Sequence, residues 1–186
     1  GMLNLPKYDF LFSYTKPYNL EILTDMTATF ATEIKSLGKV GFLWNSFGYD
    51  LYKEDSLYFA YSNNLTTNFS MGINIKSNSV TIKNYGSKSI IGLDLGFVGV
   101  INPSVVAGVM IKNINSPELS LTEKLPIETV AGFRLEYITN SPSYIDIVKP
   151  SLESVYFRLG QEIFFNKNLS FRLGVETVTK DKPARY

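Results

Sequence analysis

Charged residues of opposite sign recur at short spacing in the second half of the chain: Arg134 and Glu136, Arg158 and Glu162, Arg172 and Glu176. Lys76, Asp94 and Lys112 stand earlier, each inside a run of alternating apolar and polar residues. A carboxylate can act as general acid or base when a cleft holds it and shifts its pKa. Asp94, Glu136, Glu162 and Glu176 are the candidates for that work. Glycoside hydrolysis would need two of them at a defined separation, which their spacing does not supply. The other chemistry open to these side chains is mutual. Arg and Lys opposite Asp and Glu on neighbouring strands pair into a charge ladder. We therefore expect polar residues lining a lumen at Lys76, Asp94, Lys112, Arg134, Glu136, Arg158, Glu162, Arg172 and Glu176, with no catalytic residue, no metal site and no enzyme activity.

The 186 residues include no histidine and no cysteine. That excludes a Ser-His-Asp triad, an imidazole base, a thiolate metal site and a disulfide. The net charge of +1 gives no electrostatic case for nucleic acid as a partner. No phosphate loop, dinucleotide fingerprint or metal motif occurs, so no cofactor is expected. No continuous apolar run has the length of a transmembrane helix.

The charges sit on strands. Leu169, Phe171, Leu173 and Val175 alternate with Ser170, Arg172, Gly174 and Glu176. Side chains of a strand have period two, so one face is apolar and the other polar. The same alternation sets Ile73 and Ile75 against Asn74 and Lys76, Leu93 and Leu95 against Asp94, and Val109 and Ile111 against Lys112. It sets Phe133 and Leu135 against Arg134 and Glu136, and Phe157 and Leu159 against Arg158. Each of these runs places a mid-strand glycine on the charged face.

In order, strands are expected at Tyr8–Thr15, Ile22–Lys35, Lys39–Gly48, Asp55–Ser62, Thr67–Ser77, Ser87–Gly99, Ser104–Asn113, Ile127–Thr139, Ser143–Lys149, Ser154–Phe165 and Asn168–Val178. A helix is the competing reading of Ile22–Lys35. Lys16–Asn19, Tyr49–Glu54, Asn78–Gly86, Ile114–Pro126 and Asp181–Pro183 read as loops or a break, with an extension of the hairpin as the second reading of Asn78–Gly86. Short turns fall at Ser36–Gly38, Asn63–Thr66, Asn102–Pro103, Asn140–Pro142 and Asn166–Asn168, with mostly longer connections between them. The expectation is an all-β chain. It is an antiparallel up-and-down meander of about eleven strands forming a transmembrane β-barrel, with nearest-neighbour pairing throughout. The barrel is expected to be incomplete, since about eleven is odd and Ala184-Arg185-Tyr186 looks like a strand beginning. Residues 1–186 read as a single barrel domain that lacks N-terminal and C-terminal parts of the full protein, with Gly1-Met2 a cloning remnant or an internal cut.

Alternation alone does not say which face meets water. The alternative is a soluble β-barrel or β-sandwich that binds a small ligand or a protein partner, with its apolar face inward. Three features favour the membrane barrel. Glycines cluster on the charged face, as the narrow lumen of a small barrel requires. Arg and Glu recur together on that face. The hairpins are regular, with no Greek-key excursion. Trp44, Phe47, Tyr49, Tyr52, Tyr58 and Tyr61 suggest an aromatic girdle, or ordinary strand aromatics. Asn64-Leu-Thr66, Asn68-Phe-Ser70 and Asn168-Leu-Ser170 match a glycosylation pattern, but turn chemistry accounts for their asparagines.

The segments Tyr52-Lys-Glu-Asp-Ser-Leu57, Tyr85-Gly-Ser-Lys-Ser89 with Gly92-Leu-Asp-Leu-Gly96, and Phe171-Arg-Leu-Gly-Val-Glu176 resemble the PorV/PorQ-type branch of FadL-like outer-membrane barrels. The resemblance covers most of the chain through degenerate hairpin signatures. It implies a barrel of about fourteen strands, in the bacterial outer membrane. It implies passage or binding of hydrophobic molecules, or a barrel component of a protein secretion system. The implied partners are outer-membrane lipid and hydrophobic small molecules or secretion-system proteins.

Overall fold

The computed structural model describes residues 8–17, 20, 22–35, 37–118, 124–166 and 169–177. Eleven strands form one antiparallel sheet in sequence order, and no α-helix occurs among the described residues. The strands are β1 (Tyr8–Thr15), β2 (Thr24–Ile34), β3 (Gly38–Tyr49), β4 (Tyr52–Asn64), β5 (Phe69–Ile82), β6 (Gly86–Asn102), β7 (Val105–Lys112), β8 (Glu128–Leu135), β9 (Ser143–Pro150), β10 (Tyr156–Asn166) and β11 (Leu169–Glu176). The expected meander with nearest-neighbour pairing is the fold. β1 and β11 each have one neighbour, so the sheet is not closed. The helical reading of Ile22–Lys35 is wrong. Thr24, Thr27, Thr29 and Thr32 are β-branched, and every residue of β2 is paired with β3.

The structure corrects the boundaries at one end of the sheet. Tyr49–Glu54 is not a loop: Tyr49 pairs with Tyr52 across a two-residue turn. Asn78–Gly86 is mostly strand, as β5 runs to Ile82 and the turn is Lys83–Tyr85. Asn84 takes φ 67° and Gly86 takes φ 98° there, the left-handed geometry that lets a short hairpin reverse. Both connections are therefore tight. β4, β5 and β6 reach 13, 14 and 17 residues instead. In the other direction, β8 stops at Leu135 rather than Thr139. Glu136 N–H still donates to the Ser104 carbonyl at 2.8 Å, but β7 begins at Val105 and offers no partner farther on. The residues of Ser36, Lys167–Asn168, Asp181–Pro183 and Ala184–Tyr186, and the opening Gly1-Met2, lie outside those described, as do Tyr18 and Asn19.

The chain packs as two compact units. Unit 1 holds Gly1–Asn63, Gly72–Asp94 and Asn115–Leu125, and unit 2 holds Asn64–Met71, Leu95–Ile114 and Pro126–Tyr186. In unit 1, register puts Phe10, Phe30, Phe42 and Phe59 side by side on one face of β1–β4. The next row on that face is Phe12, Ala28, Trp44 and Leu57. In unit 2, the row Phe97, Val109 and Ala131 continues through Ile147 to Phe157, and Ala107, Phe133, Ile145, Leu159 and Val175 form the next. Phe69 stacks on Phe97 with ring centroids 6.0 Å apart.

The loop between β7 and β8 is pinned at both ends. Asn115 Nδ2 donates to the Ile91 carbonyl at 2.8 Å, and its Oδ1 accepts from Leu93 N–H at 2.9 Å. One amide thus takes the place of a strand residue along β6, which outlasts β7. Ser116 Oγ donates to the Leu125 carbonyl at 3.0 Å.

Candidate functional site

In unit 1 the charged face of β5 and β6 closes on a buried pair. Lys76 Nζ donates to Asp94 Oδ1 at 2.6 Å, and Asn74 Nδ2 donates to Asp94 Oδ2 at 3.1 Å. Period two puts Asn74 and Lys76 on one face of β5, so one carboxylate can bridge both. Lys76 is 8% exposed and Asp94 3%. Asn74 Oδ1 is buried with no hydrogen-bond partner. Farther along, Asn45 Nδ2 donates to Asp25 Oδ1 at 2.8 Å, to Thr27 Oγ1 at 2.9 Å and to the Met26 carbonyl at 3.1 Å. On the same face Thr29, Ala31, Gly41, Ser56 and Ala60 are small, and Leu43, Phe47 and Tyr58 are the larger side chains.

In unit 2 the charges form a ladder. Lys112 Nζ donates to Glu128 Oε1 at 2.6 Å across the β7–β8 register. Arg158 Nε donates to Glu176 Oε2 at 2.7 Å, and Arg172 to Glu162, both across β10–β11. Arg134 pairs with Glu136, one residue beyond the end of β8, rather than with a neighbouring strand. Tyr144 Oη donates to Glu162 at 3.3 Å, and the Arg158 guanidinium lies 5.2 Å from the centre of the Tyr156 ring. The glycines on this face make room for larger neighbours. Gly160 stands opposite Tyr144, whose Cβ would touch a side chain added there at 3.5 Å. Gly132 stands opposite Asp146.

All nine expected polar residues are therefore ion-paired, and each pair lies on one strand face. The ladder differs from expectation in two respects. Arg134–Glu136 is a local pair two residues apart, and Lys112 takes Glu128. Glu128 was not among the expected residues, though it shares the parity of Val130, Gly132 and Arg134. Tyr144 and Asn45 were also missed, whereas the alternation sets Tyr156 on the face of Arg158. Tyr144 reads as an apolar residue, and its register opposite Gly160 shows otherwise. The aromatic group near the β3–β4 hairpin does not form one girdle. Trp44 and Tyr61 lie on the apolar face, and Phe47 and Tyr58 on the opposite one. Asn64 Oδ1 accepts from Ser70 Oγ at 2.8 Å, and Thr66 Oγ1 from Asn68 N–H at 3.3 Å, so these residues build a turn.

The faces carry the reverse of the usual burial. Phe10 is 68% exposed, Phe171 49% and Leu173 62%, while Lys76, Asp94 and Glu162 are all below a tenth. The same exposure of aromatic and aliphatic side chains holds within strands that have neighbours on both sides, at Phe42, Phe59, Ile75, Phe133 and Phe157. No protein-family model, curated protein or solved structure matches the chain.

Proposed function

We propose that the chain is a strand-built protein of a bacterial outer membrane. In this reading its apolar face lies against lipid and its charged face lines an aqueous lumen, in the manner of the FadL-like, PorV/PorQ-type barrels that its hairpin segments resemble. The observation that carries the reading is the reversed burial. In water, each large apolar side chain left exposed forgoes about 1.5–3 kcal/mol, and patches of this extent mark membrane or protein contact. Against lipid the arrangement is favourable, because Arg or Lys on the lipid side would cost about 2–4 kcal/mol near the midplane. A bilayer has no water for open strand edges, so the reading requires β1 and β11 each to be hydrogen-bonded by a further strand.

The function we assign is passage or binding of hydrophobic molecules, or service as a barrel component of protein secretion. The paired charges support a lumen that is wet and close to neutral. The test is fractionation of cells that express the chain, followed by reconstitution into vesicles. The chain should sediment with membranes, resist alkaline extraction and require detergent for release. Reconstituted vesicles should take up a fluorescent fatty acid faster than empty ones, or the chain should copurify with secretion partners. A monodisperse chain recovered without detergent would contradict the membrane reading.

A further inference from the structure

A recess lies in unit 1 where the apolar face ends. Register sets Thr24 beside Gly48, Met26 beside Ser46, Ser46 beside Asp55 and Gly48 beside Lys53, all on the face that carries Trp44 and Phe42. The apolar rows thus stop at Trp44, and polar residues begin two positions on. Lys83 closes the recess from the end of β5, where its N–H donates to the Leu51 carbonyl at 3.0 Å. The recess has a volume of 430 Å³, within the range of roughly 300–1,000 Å³ typical of small-molecule sites.

Ser46 is 3% exposed and lines the recess, where its hydroxyl is able to donate to or accept from a bound polar group. The charges say what kind of group. Lys53 and Lys83 supply two ammonium groups, and Asp50 lines the same recess. Asp55 lies 3.1 Å from Lys53. A purely anionic ligand would meet two carboxylates along with the lysines. A ligand with one phosphate and one primary ammonium matches both signs.

We propose that this recess binds the phosphoethanolamine headgroup of a phospholipid. The phosphate faces Lys83, Lys53 and the Ser46 hydroxyl, and the ammonium faces Asp50. The acyl chains lie along the Trp44 and Phe42 rows, which begin where the recess ends. The acyl half of the proposal rests on the membrane reading above.

Native mass spectrometry of the full chain in nonionic detergent tests it, with phosphatidylethanolamine, phosphatidylcholine and phosphatidylglycerol of identical acyl chains added in equal amounts. The expected result is several-fold more phosphatidylethanolamine retained than either other lipid. Phosphatidylcholine cannot donate hydrogen bonds to Asp50, and phosphatidylglycerol has no cation for it. Lys83→Ala and Asp50→Asn, both at exposed positions, should abolish the preference, and Ser46→Val should do so by filling the recess. Equal retention of the three lipids, or a preference unchanged in Lys83→Ala and Asp50→Asn, would overturn the site. Free phosphoethanolamine that competes at concentrations equal to the lipid would overturn the lipid as the ligand. Quenching of Trp44 fluorescence by brominated phosphatidylcholine keeps the two readings apart. Quenching without a headgroup preference rejects the recess alone, whereas absence of quenching rejects the membrane reading.

Discussion

Unit 1 keeps the ion pair of its polar face out of water, whereas unit 2 spreads four pairs along a face that stays partly wet. The side chains of Lys76 and Asp94 are 9% and 4% exposed, against 40% and 37% for Arg158 and Glu176. The difference bears on what each pair contributes. A buried pair recovers its desolvation cost only while both partners stay. A half-exposed pair contributes little, because water screens it and solvates whichever partner remains. Unit 1 therefore holds its buried stake in the single Lys76–Asp94 pair, and unit 2 distributes its pairs along the ladder.

Asp94→Ala should have the largest effect. It leaves Lys76 charged and buried, with Asn74 losing its acceptor, and should destabilise the protein by about 3–5 kcal/mol in denaturant unfolding from detergent. The double replacement Lys76→Met/Asp94→Leu should recover most of that loss, because an apolar pair of similar volume has no charge to desolvate. A cost for Asp94→Ala as small as that of a unit 2 pair would erase the contrast between the units.

Backbone geometry sharpens the same comparison. Gly48 in unit 1 has φ +134°, and an added Cβ would collide with the Tyr52 carbonyl of the facing strand. Gly48→Ala should cost about 1–3 kcal/mol and lower the melting temperature. Gly132→Ala in unit 2 meets only the end of the Asp146 side chain, which can rotate away, so it should cost less than about 1 kcal/mol. Asn45→Ala removes three hydrogen bonds from one amide and should cost about 1–3 kcal/mol by the same measurement. Glu176→Ala should have the smallest effect, below about 1 kcal/mol, since Arg158 keeps its contact with Tyr156. A loss of several kcal/mol there would show that the unit 2 ladder acts as one network.

The strands were legible in the sequence because their apolar and polar residues alternate. That signal fails where polar residues occupy both faces. Ser77-Asn78-Ser79 interrupts the alternation before Val80 and Ile82 resume it, so the outer half of β5 reads as a loop. Lys53-Glu54-Asp55 hides the start of β4 in the same way. The cost of that misreading is the Lys76–Asp94 pair. Both residues were expected on a polar face, but their partnership depends on the hairpin register, which depends on a turn at Lys83–Tyr85. Arg158–Glu176 and Arg172–Glu162 were nearer to hand, because the expected short turn between their strands left little freedom of register. The recess around Ser46 left no trace in the pattern, since it is formed by residues of four separate strands and turns brought together by pairing.

The central claim is that the apolar face meets lipid and the charged face meets water. The chain has no cysteine, so single cysteines can be placed at will and spin-labelled in vesicles. Positions 157, 158, 159, 160, 171, 172 and 173 sample both faces of β10 and β11. The account predicts a period of two: labels replacing Phe157, Leu159, Phe171 and Leu173 should be open to oxygen dissolved in lipid. Labels replacing Arg158, Gly160 and Arg172 should be open to a water-soluble nickel chelate. Labels at the four apolar positions that are shielded from both reagents, with only the charged positions open to the chelate, would mean a closed protein core and would contradict the account.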